Sequence, residues 1–136
     1  MVGFVAGVAD TGKFYRHFLR RHSPAAALAA SPALVKPQTL RRLWETSRYP
    51  GRDGDGAELL AMAVDVSMRG RGLGYELGTR LLAQMETDGT GPVRVVVGSD
   101  NQVAQAAYGK MGFVPHTTVE VHAGEVSEVM VWLPQP

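Results

Sequence analysis

A turn with three glycines, set between an apolar strand-like segment and an amphipathic helix, constrains the fold of this chain more than any other feature of its sequence. The turn is Arg69-Gly70-Arg71-Gly72-Leu73-Gly74. It directs several backbone N–H groups and the positive end of the helix dipole at one point, where an anion such as a phosphate can bind. Glycine is favoured there because a Cβ atom would hold the phosphate away from the backbone. The alternative is a glycine-rich helix start that binds nothing.

Two common phosphate-binding motifs do not match this turn. A P-loop requires Gly-x-x-x-x-Gly-Lys-Ser/Thr, and no lysine follows these glycines. The dinucleotide fingerprint Gly-x-Gly-x-x-Gly would place its third glycine where Tyr75 or Leu77 stands. The phosphate must therefore belong to another kind of ligand.

The order of the predicted elements favours an α/β fold with a mixed central sheet of about five strands flanked by helices. Alternation of strands and helices in the middle of the chain implies parallel βαβ geometry, and a closing hairpin makes the sheet mixed. The strands are predicted at Val2–Ala9, Glu58–Val66, Val93–Val97, Thr117–Val121 and Val129–Leu133. The second of them is almost entirely apolar, which predicts burial on both faces.

Two helices are predicted in the second half of the chain. The first follows the glycine turn, and its apolar stripe consists of Leu73, Leu77, Leu81, Leu82 and Met85. The second starts at a capping box formed by Ser99 and Gln102 and runs to about Met111. Gly112 ends it.

The segment between the first two strands is predicted to be a basic insert of three helices, residues 11–50, ahead of a core at 56–136; together they form a single domain, residues 1–136. From Thr11 to Arg52 the chain has nine lysines and arginines and one acid, Glu45. Its charge is therefore +8, and since the whole chain has a charge of +1 the remainder carries −7. This basic block is either a solvated helix face or a surface for an anionic partner.

Composition excludes several classes of protein. Apolar residues make up 45% of the chain, too many for a disordered protein, and cysteine is absent, so thiolate metal sites are excluded. No apolar run reaches the ~20 residues that a membrane span needs, and the N-terminus does not resemble a signal peptide, so a cytoplasmic protein is expected. No metal is expected either, because the histidines have no zinc-site spacing; they are His17, His22, His116 and His122.

The glycine turn and a second motif together resemble the signatures of the GNAT superfamily of acyl-CoA-dependent N-acyltransferases. The turn fits Arg/Gln-x-x-Gly-x-Gly/Ala, which in that family holds the pyrophosphate of coenzyme A. Downstream, the pattern Asn-x-x-Ala-x-x-x-Tyr-x-x-x-Gly-Phe is matched by Asn101, Ala104, Tyr108, Gly112 and Phe113. The segment Met62–Val66 looks like the splayed central strand of the family. The resemblance covers residues 56–136 and extends to Val2–Asp10.

The resemblance implies where the cofactor, acetyl-CoA, would lie. Val64 and Val66 would pair through their backbones with its amide arm, as a strand does, with Asp65 between them. The pyrophosphate would lie at the glycine turn, from Arg69 to Gly74. The helix face that carries Asn101, Ala104 and Tyr108 would lie beside the pantetheine arm and the sulfur, since Asn101 and Tyr108 are two helical turns apart.

Acyl transfer from a thioester to an amine requires a base and an acid. A substrate ammonium with a pKa near ~10.4 must lose a proton, and the leaving thiolate needs an acid of comparable strength, for which a tyrosine near ~10 is suitable. Tyr108 is therefore the candidate general acid, unless it is a packing residue. Glu58, at the head of an apolar strand, is the candidate base; a solvated strand-end glutamate with an ordered water as relay is the alternative.

We therefore expect an acetyl-CoA-dependent N-acetyltransferase that acts on a primary amine of a small molecule or a protein. One alternative is a non-catalytic coenzyme A-binding or regulatory domain, and another is a binder of anionic surfaces through the basic insert. Nucleic acid is not expected, because the aromatic residues of the insert fall at core-like helical spacing. They are Phe14, Tyr15, Phe18 and Trp44.

The beginning of the chain departs from the family pattern. The family fold usually opens with a strand, two helices and another strand before the strand that Val2–Ala9 resembles. Here that strand comes first, and it would be an apolar, charge-free edge open to pairing. We expect one of three arrangements: a homodimer across this edge, an insert folded over it, or a longer protein with a missing N-terminal segment.

Overall fold

The computed structural model describes residues 1–17, 20–21, 56–122 and 124–135. These residues form one mixed sheet of five strands in the order β1-β2-β3-β5-β4. Its strands are β1 (Gly3–Val8), β2 (Ala57–Val64), β3 (Val93–Gly98), β4 (Val114–His122) and β5 (Glu125–Trp132). Two helices follow β2 and β3, namely α1 (Leu73–Thr87) and α2 (Gln102–Lys110), and residues 11–17 are also helical. The predicted mixed α/β fold is confirmed.

The pairing between β2 and β3 is unusually short. All other neighbouring strands are antiparallel and pair along most of their length, whereas β2 and β3 are parallel and pair only at Ala57–Val93 and Glu58–Arg94. Beyond this point the two strands separate. The sheet is therefore open in its middle, towards the C-terminal ends of β2 and β3, where ligands of α/β sheets commonly bind.

A bulge in β2 reverses which residues face each side of the sheet. Ala6 pairs with Ala61 and Gly7 pairs with Leu59, so Leu60 is an extra residue without a partner on β1. A Cβ atom on Gly7 would be 2.9 Å from Leu81 in α1, which shows that this pair faces α1. Glu58, next to Leu59 in the strand, therefore lies on the opposite face.

The hydrophobic core fills the space between the sheet and the two helices. Leu82 and Met85 of α1 and Tyr108 of α2 belong to one buried cluster with the inward valines of β3. These valines are Val93, Val95 and Val97, which are 0–6% exposed. Both helices thus pack on the same face of the sheet.

The opposite face is contacted by the helical segment 11–17. The Thr11 N–H and hydroxyl both donate to the Gly56 carbonyl, at 3.0 and 3.1 Å. Thr11 is completely buried, and the two residues are 45 positions apart in the sequence. These bonds fix the start of the segment to the beginning of β2.

Several local predictions differ from the structure. The strand predicted to reach Val66 ends at Val64, and Val66 starts a short 3₁₀ turn, Val66–Met68. Burial of this strand on both faces is wrong for its second half, where Ala61 and Ala63 are exposed. The capping box is also wrong: the N-cap of α2 is Asn101, whose side chain accepts from the Ala104 N–H at 3.1 Å.

Most of the predicted basic insert lies outside the described residues, including its second and third helices. Of its charged residues the structure describes Lys13, Arg16, Arg20 and Arg21, and all four are exposed. Among the described strands β1 is at one edge of the sheet, as the sequence predicted. Val2 and Phe4 are exposed at this edge.

Because α1 and α2 pack closely, we expect alanine to have opposite effects on stability at two helical glycines. A Cβ atom on Gly78 of α1 would overlap the Sδ atom of buried Met111, whereas one on Gly109 of α2 would meet nothing within 4 Å. We expect Gly78→Ala to lower the free energy of unfolding by about 1 kcal/mol, because the flexible end of buried Met111 must move away from the new methyl group. Gly109→Ala should raise it by about 0.5–1 kcal/mol, since alanine favours the helix. Urea denaturation of both variants measures the difference, and a stabilising Gly78→Ala would contradict the packing described.

Candidate functional site

The opening between β2 and β3 is lined on one side by backbone groups of β2 that do not pair with β1. The Asp65 N–H donates to the Val2 carbonyl at 2.8 Å, and alternate residues of an antiparallel pair point their backbone groups to opposite sides. The backbone groups of Met62 and Val64 therefore point away from β1 and into the opening. An extended ligand with amide groups can pair with them as a further strand would.

The glycine turn lies at the end of this opening and has the geometry of an anion site. Gly70 and Gly72 have positive φ angles of 77° and 79°, and a Cβ atom on either would meet nothing within 4 Å. Gly72 is the N-cap of α1, so no capping side chain occupies the first turn. The N–H groups of that turn have no acceptors within the helix, and together with the helix dipole they favour an anion. The open space and the donors fit a phosphate.

Gly74 has a different role from the two preceding glycines. A Cβ atom there would be 3.7 Å from Val64 and 3.8 Å from Met62, so it would point towards the sheet. These are ordinary van der Waals distances, so the packing of α1 on β2 leaves room for a methyl group at this position. Leu73, between Gly72 and Gly74, is half-buried and starts the helix.

Polar side chains hold the segment between β2 and α1 in place. Asp65 accepts hydrogen bonds from the side chain and the N–H of Ser67, which lower the pKa of Asp65 below its usual 3.8. Arg69 donates from Nε to the Val64 carbonyl at 3.2 Å, and its N–H bonds to the Val66 carbonyl. Arg69 and Arg71 are both exposed and add positive charge beside the glycines. Asp65 thus shapes the turn, while Arg69 closes the end of the opening.

The second motif places one buried tyrosine behind the site. Tyr108 is 8% exposed and contacts Phe113 edge-on, with ring centroids 5.6 Å apart. Burial raises the pKa of Tyr108 above its usual 10.0. Ala104, four residues earlier, is half-buried on the same helix face, whereas Asn101 is exposed and caps the helix. Of these three motif residues, Tyr108 is buried, Ala104 is half-buried and Asn101 is exposed.

Glu58 lies at the vertex of the opening, where β2 and β3 part. It is 5% exposed and forms an ion pair with Arg94 of β3, with 3.0 Å between Oε2 and Nε. Arg94 also makes a longer contact of 3.4 Å from Nη2 to the Thr11 hydroxyl. Glu58 is therefore a buried, paired carboxylate rather than a solvated strand-end residue.

The structure thus brings the glycine turn, Val64 and Glu58 to one opening, with Tyr108 in the core on the α1 side. Sequence reasoning missed Arg94 and the Leu60 bulge. A signal for Arg94 was available, since it is the one charged residue in the apolar strand Val93–Gly98. The bulge had no such signal, because it depends on the register with β1.

The mixed sheet, with an opening between β2 and β3 beside a glycine-lined helix N-terminus, defines the chain as an α/β domain. The model of the acetyltransferase (GNAT) family matches residues 4–113 of the chain. The chain therefore belongs to the GNAT family of acetyltransferases, whose chemistry is acyl transfer. No curated protein sequence matches it.

Solved structures with the same fold include known and inferred acetyltransferases. Ard1 from Thermoplasma volcanium is 26% identical with a TM-score of 0.55, over 60% of this chain and 56% of that one. The ribosomal-protein-S18-alanine N-acetyltransferase from Escherichia coli is 26% identical with a TM-score of 0.51, over 57% and 54%. The PaiA N-acetyltransferase from Thermoplasma acidophilum, in complex with coenzyme A, shares the fold at 23% identity and a TM-score of 0.52, over 58% and 46%. The alignments span only about half of each of these proteins.

The described part of the chain has neither a candidate membrane span nor a candidate metal site. Across residues 1–17, 20–21, 56–122 and 124–135, no helix is long and apolar enough to cross a membrane. The same part of the chain contains no group of three histidine, aspartate or glutamate side chains that could hold a metal ion.

Gly72 and Gly89 both have positive φ angles, so the same substitution at these two positions gives a matched test of the anion site. Gly89 follows the C-terminus of α1, has φ 71° and is equally open, but lies at the other end of the helix. We expect Gly72→Ala to weaken binding of coenzyme A at least about tenfold, because its Cβ would stand where the phosphate approaches. Gly89→Ala should cause a similar loss of stability with unchanged affinity. Isothermal titration calorimetry measures both, and equal affinities would place the phosphate elsewhere.

Proposed function

We propose that this chain transfers an acetyl group from acetyl-CoA to a primary amine of a small molecule or a protein. The observation that carries the proposal is the opening between β2 and β3, which leads from a buried carboxylate at its vertex to an anion site at its mouth. Membership of the GNAT family supports the reaction class. A non-catalytic coenzyme A-binding domain would need the anion site but would not need the buried carboxylate.

The chain's own groups fit each part of acetyl-CoA. The pyrophosphate would accept hydrogen bonds from the first turn of α1, with Arg69 and Arg71 adding charge. The amide arm would pair with the backbone of Val64, whose carbonyl is now bound by Arg69 Nε at 3.2 Å. Arg69 would then release that carbonyl. Val66 lies in the 3₁₀ turn beyond the strand, so we expect its contact to be at the rim. When bound, acetyl-CoA supplies the activated acyl group.

Acid and base lie on opposite faces of the sheet. Glu58 faces the side of the 11–17 segment, while Tyr108 belongs to the core on the α1 side. In the proposed reaction Glu58 accepts the proton of the acceptor amine, and the nitrogen forms a bond to the acyl carbon. The carbon–sulfur bond then breaks, and the Tyr108 hydroxyl gives its proton to the leaving sulfur. The raised pKa of Tyr108 keeps that hydroxyl protonated at neutral pH.

The acceptor is proposed from the neighbours and from charge. The E. coli structure is named for transfer to an alanine of ribosomal protein S18, and this supports an N-terminal α-amine as one candidate acceptor. The basic residues at the start of the insert instead favour an anionic small molecule, such as an amino sugar on a nucleotide carrier. We further propose that the reaction is cytoplasmic and that the edge strand β1 is covered by a second copy of the chain or by the basic insert.

The proposed function is tested by incubating the protein with acetyl-CoA and an amine panel. The panel contains a peptide with a free N-terminal alanine, the same peptide with a blocked N-terminus and one internal lysine, and an amino sugar phosphate. Mass spectrometry is expected to show one acetyl group added to at least one of them, with matching release of thiol. Binding of coenzyme A without any product would favour the non-catalytic alternative.

Tyr108→Phe tests the acid, because it removes the hydroxyl and keeps the ring. We expect turnover to fall about 10²–10⁴-fold with unchanged affinity for coenzyme A. Since the acid must be protonated and burial raises its pKa, wild-type turnover should persist until the pH rises above the usual tyrosine value of 10.0. As a control, Phe113→Leu disturbs the same ring contact and should reduce stability more than turnover. Equal turnover losses in the two variants would make Tyr108 a packing residue.

A further inference from the structure

The ion pair between Glu58 and Arg94 occupies a special position in the sheet. These residues form the second of only two parallel pairs between β2 and β3, so their side chains mark the point where the strands separate. The side chains of Arg94 and Glu58 are only 22% and 6% exposed. An ion pair in such a place is costly to desolvate, and hydrophobic residues could join the strands equally well. Its presence at the vertex therefore calls for an explanation other than stability.

Arg94 donates a hydrogen bond to only one of the two carboxylate oxygens of Glu58. Its Nε donates to Oε2, and among the described residues Oε1 accepts no hydrogen bond. The contact thus holds the carboxylate through one oxygen and leaves the other oxygen for a proton donor.

The surroundings of Glu58 support this arrangement. On β1 its partner is the apolar Val8, and the helical segment contributes Thr11 and Tyr15. Burial, and then the charge of Glu58, raise the pKa of Tyr15 above 10.0, while Arg94 acts in the opposite sense. Tyr15 is therefore neutral near pH 7, and Arg94 supplies the positive charge that faces the carboxylate.

We propose that Arg94 is a positioning residue, which fixes the Glu58 carboxylate at the vertex of the opening so that Oε1 can accept the proton of the acceptor amine. This inference rests on the proposed function, since it assigns a role within that reaction. The inference goes beyond the proposed function because it gives a role to Arg94, which lies outside both sequence motifs.

The test compares Arg94→Gln, Arg94→Lys, Glu58→Gln and the double variant Glu58→Gln/Arg94→Gln. The first readout is ¹³C NMR titration of the Glu58 carboxyl, which does not require turnover. In Arg94→Gln we expect its titration midpoint to rise by about 1 pH unit or more, with Arg94→Lys in between. If Arg94→Gln does not fold, Arg94→Lys gives the same comparison with a smaller shift.

The second readout is the pH dependence of kcat/KM with acetyl-CoA and the amine of the panel that reacts best. The acidic limb should move to higher pH in Arg94→Gln by the same amount as the titration midpoint, and Glu58→Gln should abolish that limb. The double variant should be no slower than Glu58→Gln alone, since a positioning residue has nothing left to position. Affinity for coenzyme A should be unchanged throughout.

The outcomes separate the two hypotheses. A titration shift in a protein that acetylates no amine would refute the proposed function and the role of Arg94 in it, while confirming the contact. Acetyl transfer with superimposable titration curves, or losses that multiply in the double variant, would overturn the positioning role and leave the proposed function standing.

Discussion

The parallel contact between β2 and β3 stops after two residue pairs, and the rest of the structure depends on that limit. If the two strands paired along their whole length, the backbone groups of Met62 and Val64 would be used within the sheet. Because they part, the facing edges of the two strands do not pair with each other beyond those two residue pairs. A buried strand edge without partners is costly in a protein, since each unpaired amide loses its bonds with water. The opening is tolerable when it admits water or a ligand that can pair with these groups.

The bulge at Leu60 decides which side chains surround this opening. Without the extra residue, Glu58 would share a face with Met62 and Val64 and point into the apolar core under α1. With it, Leu59 enters the core and Glu58 turns to the face where Thr11 and Arg94 lie. One inserted residue therefore puts the Glu58 carboxyl group and Tyr108 on opposite faces of the sheet.

The sequence predicted those parts of the molecule that local patterns determine. The glycine turn, the leucine stripe of α1 and the closing hairpin all follow from spacing and turn chemistry, and the structure has them at or near the predicted positions. The capping box at Ser99 failed because Asn101, two residues later, offers an equally good cap. The roles of Arg94 and Leu60 depend on strand register, which no local pattern encodes. Whether each site residue acts as proposed is a question of chemistry that the fold alone does not decide.

The short β2–β3 contact also divides the sheet into a two-stranded part, β1 and β2, and a three-stranded part, β3, β5 and β4. An isolated two-stranded ribbon is marginally stable, so β1 and β2 depend on their packing against α1 to stay folded. A ligand that pairs with the free edge of β2 would act as an additional strand between the two parts. Its binding would then stabilise the folded state and join the two parts more firmly than the two backbone pairs between β2 and β3 do alone.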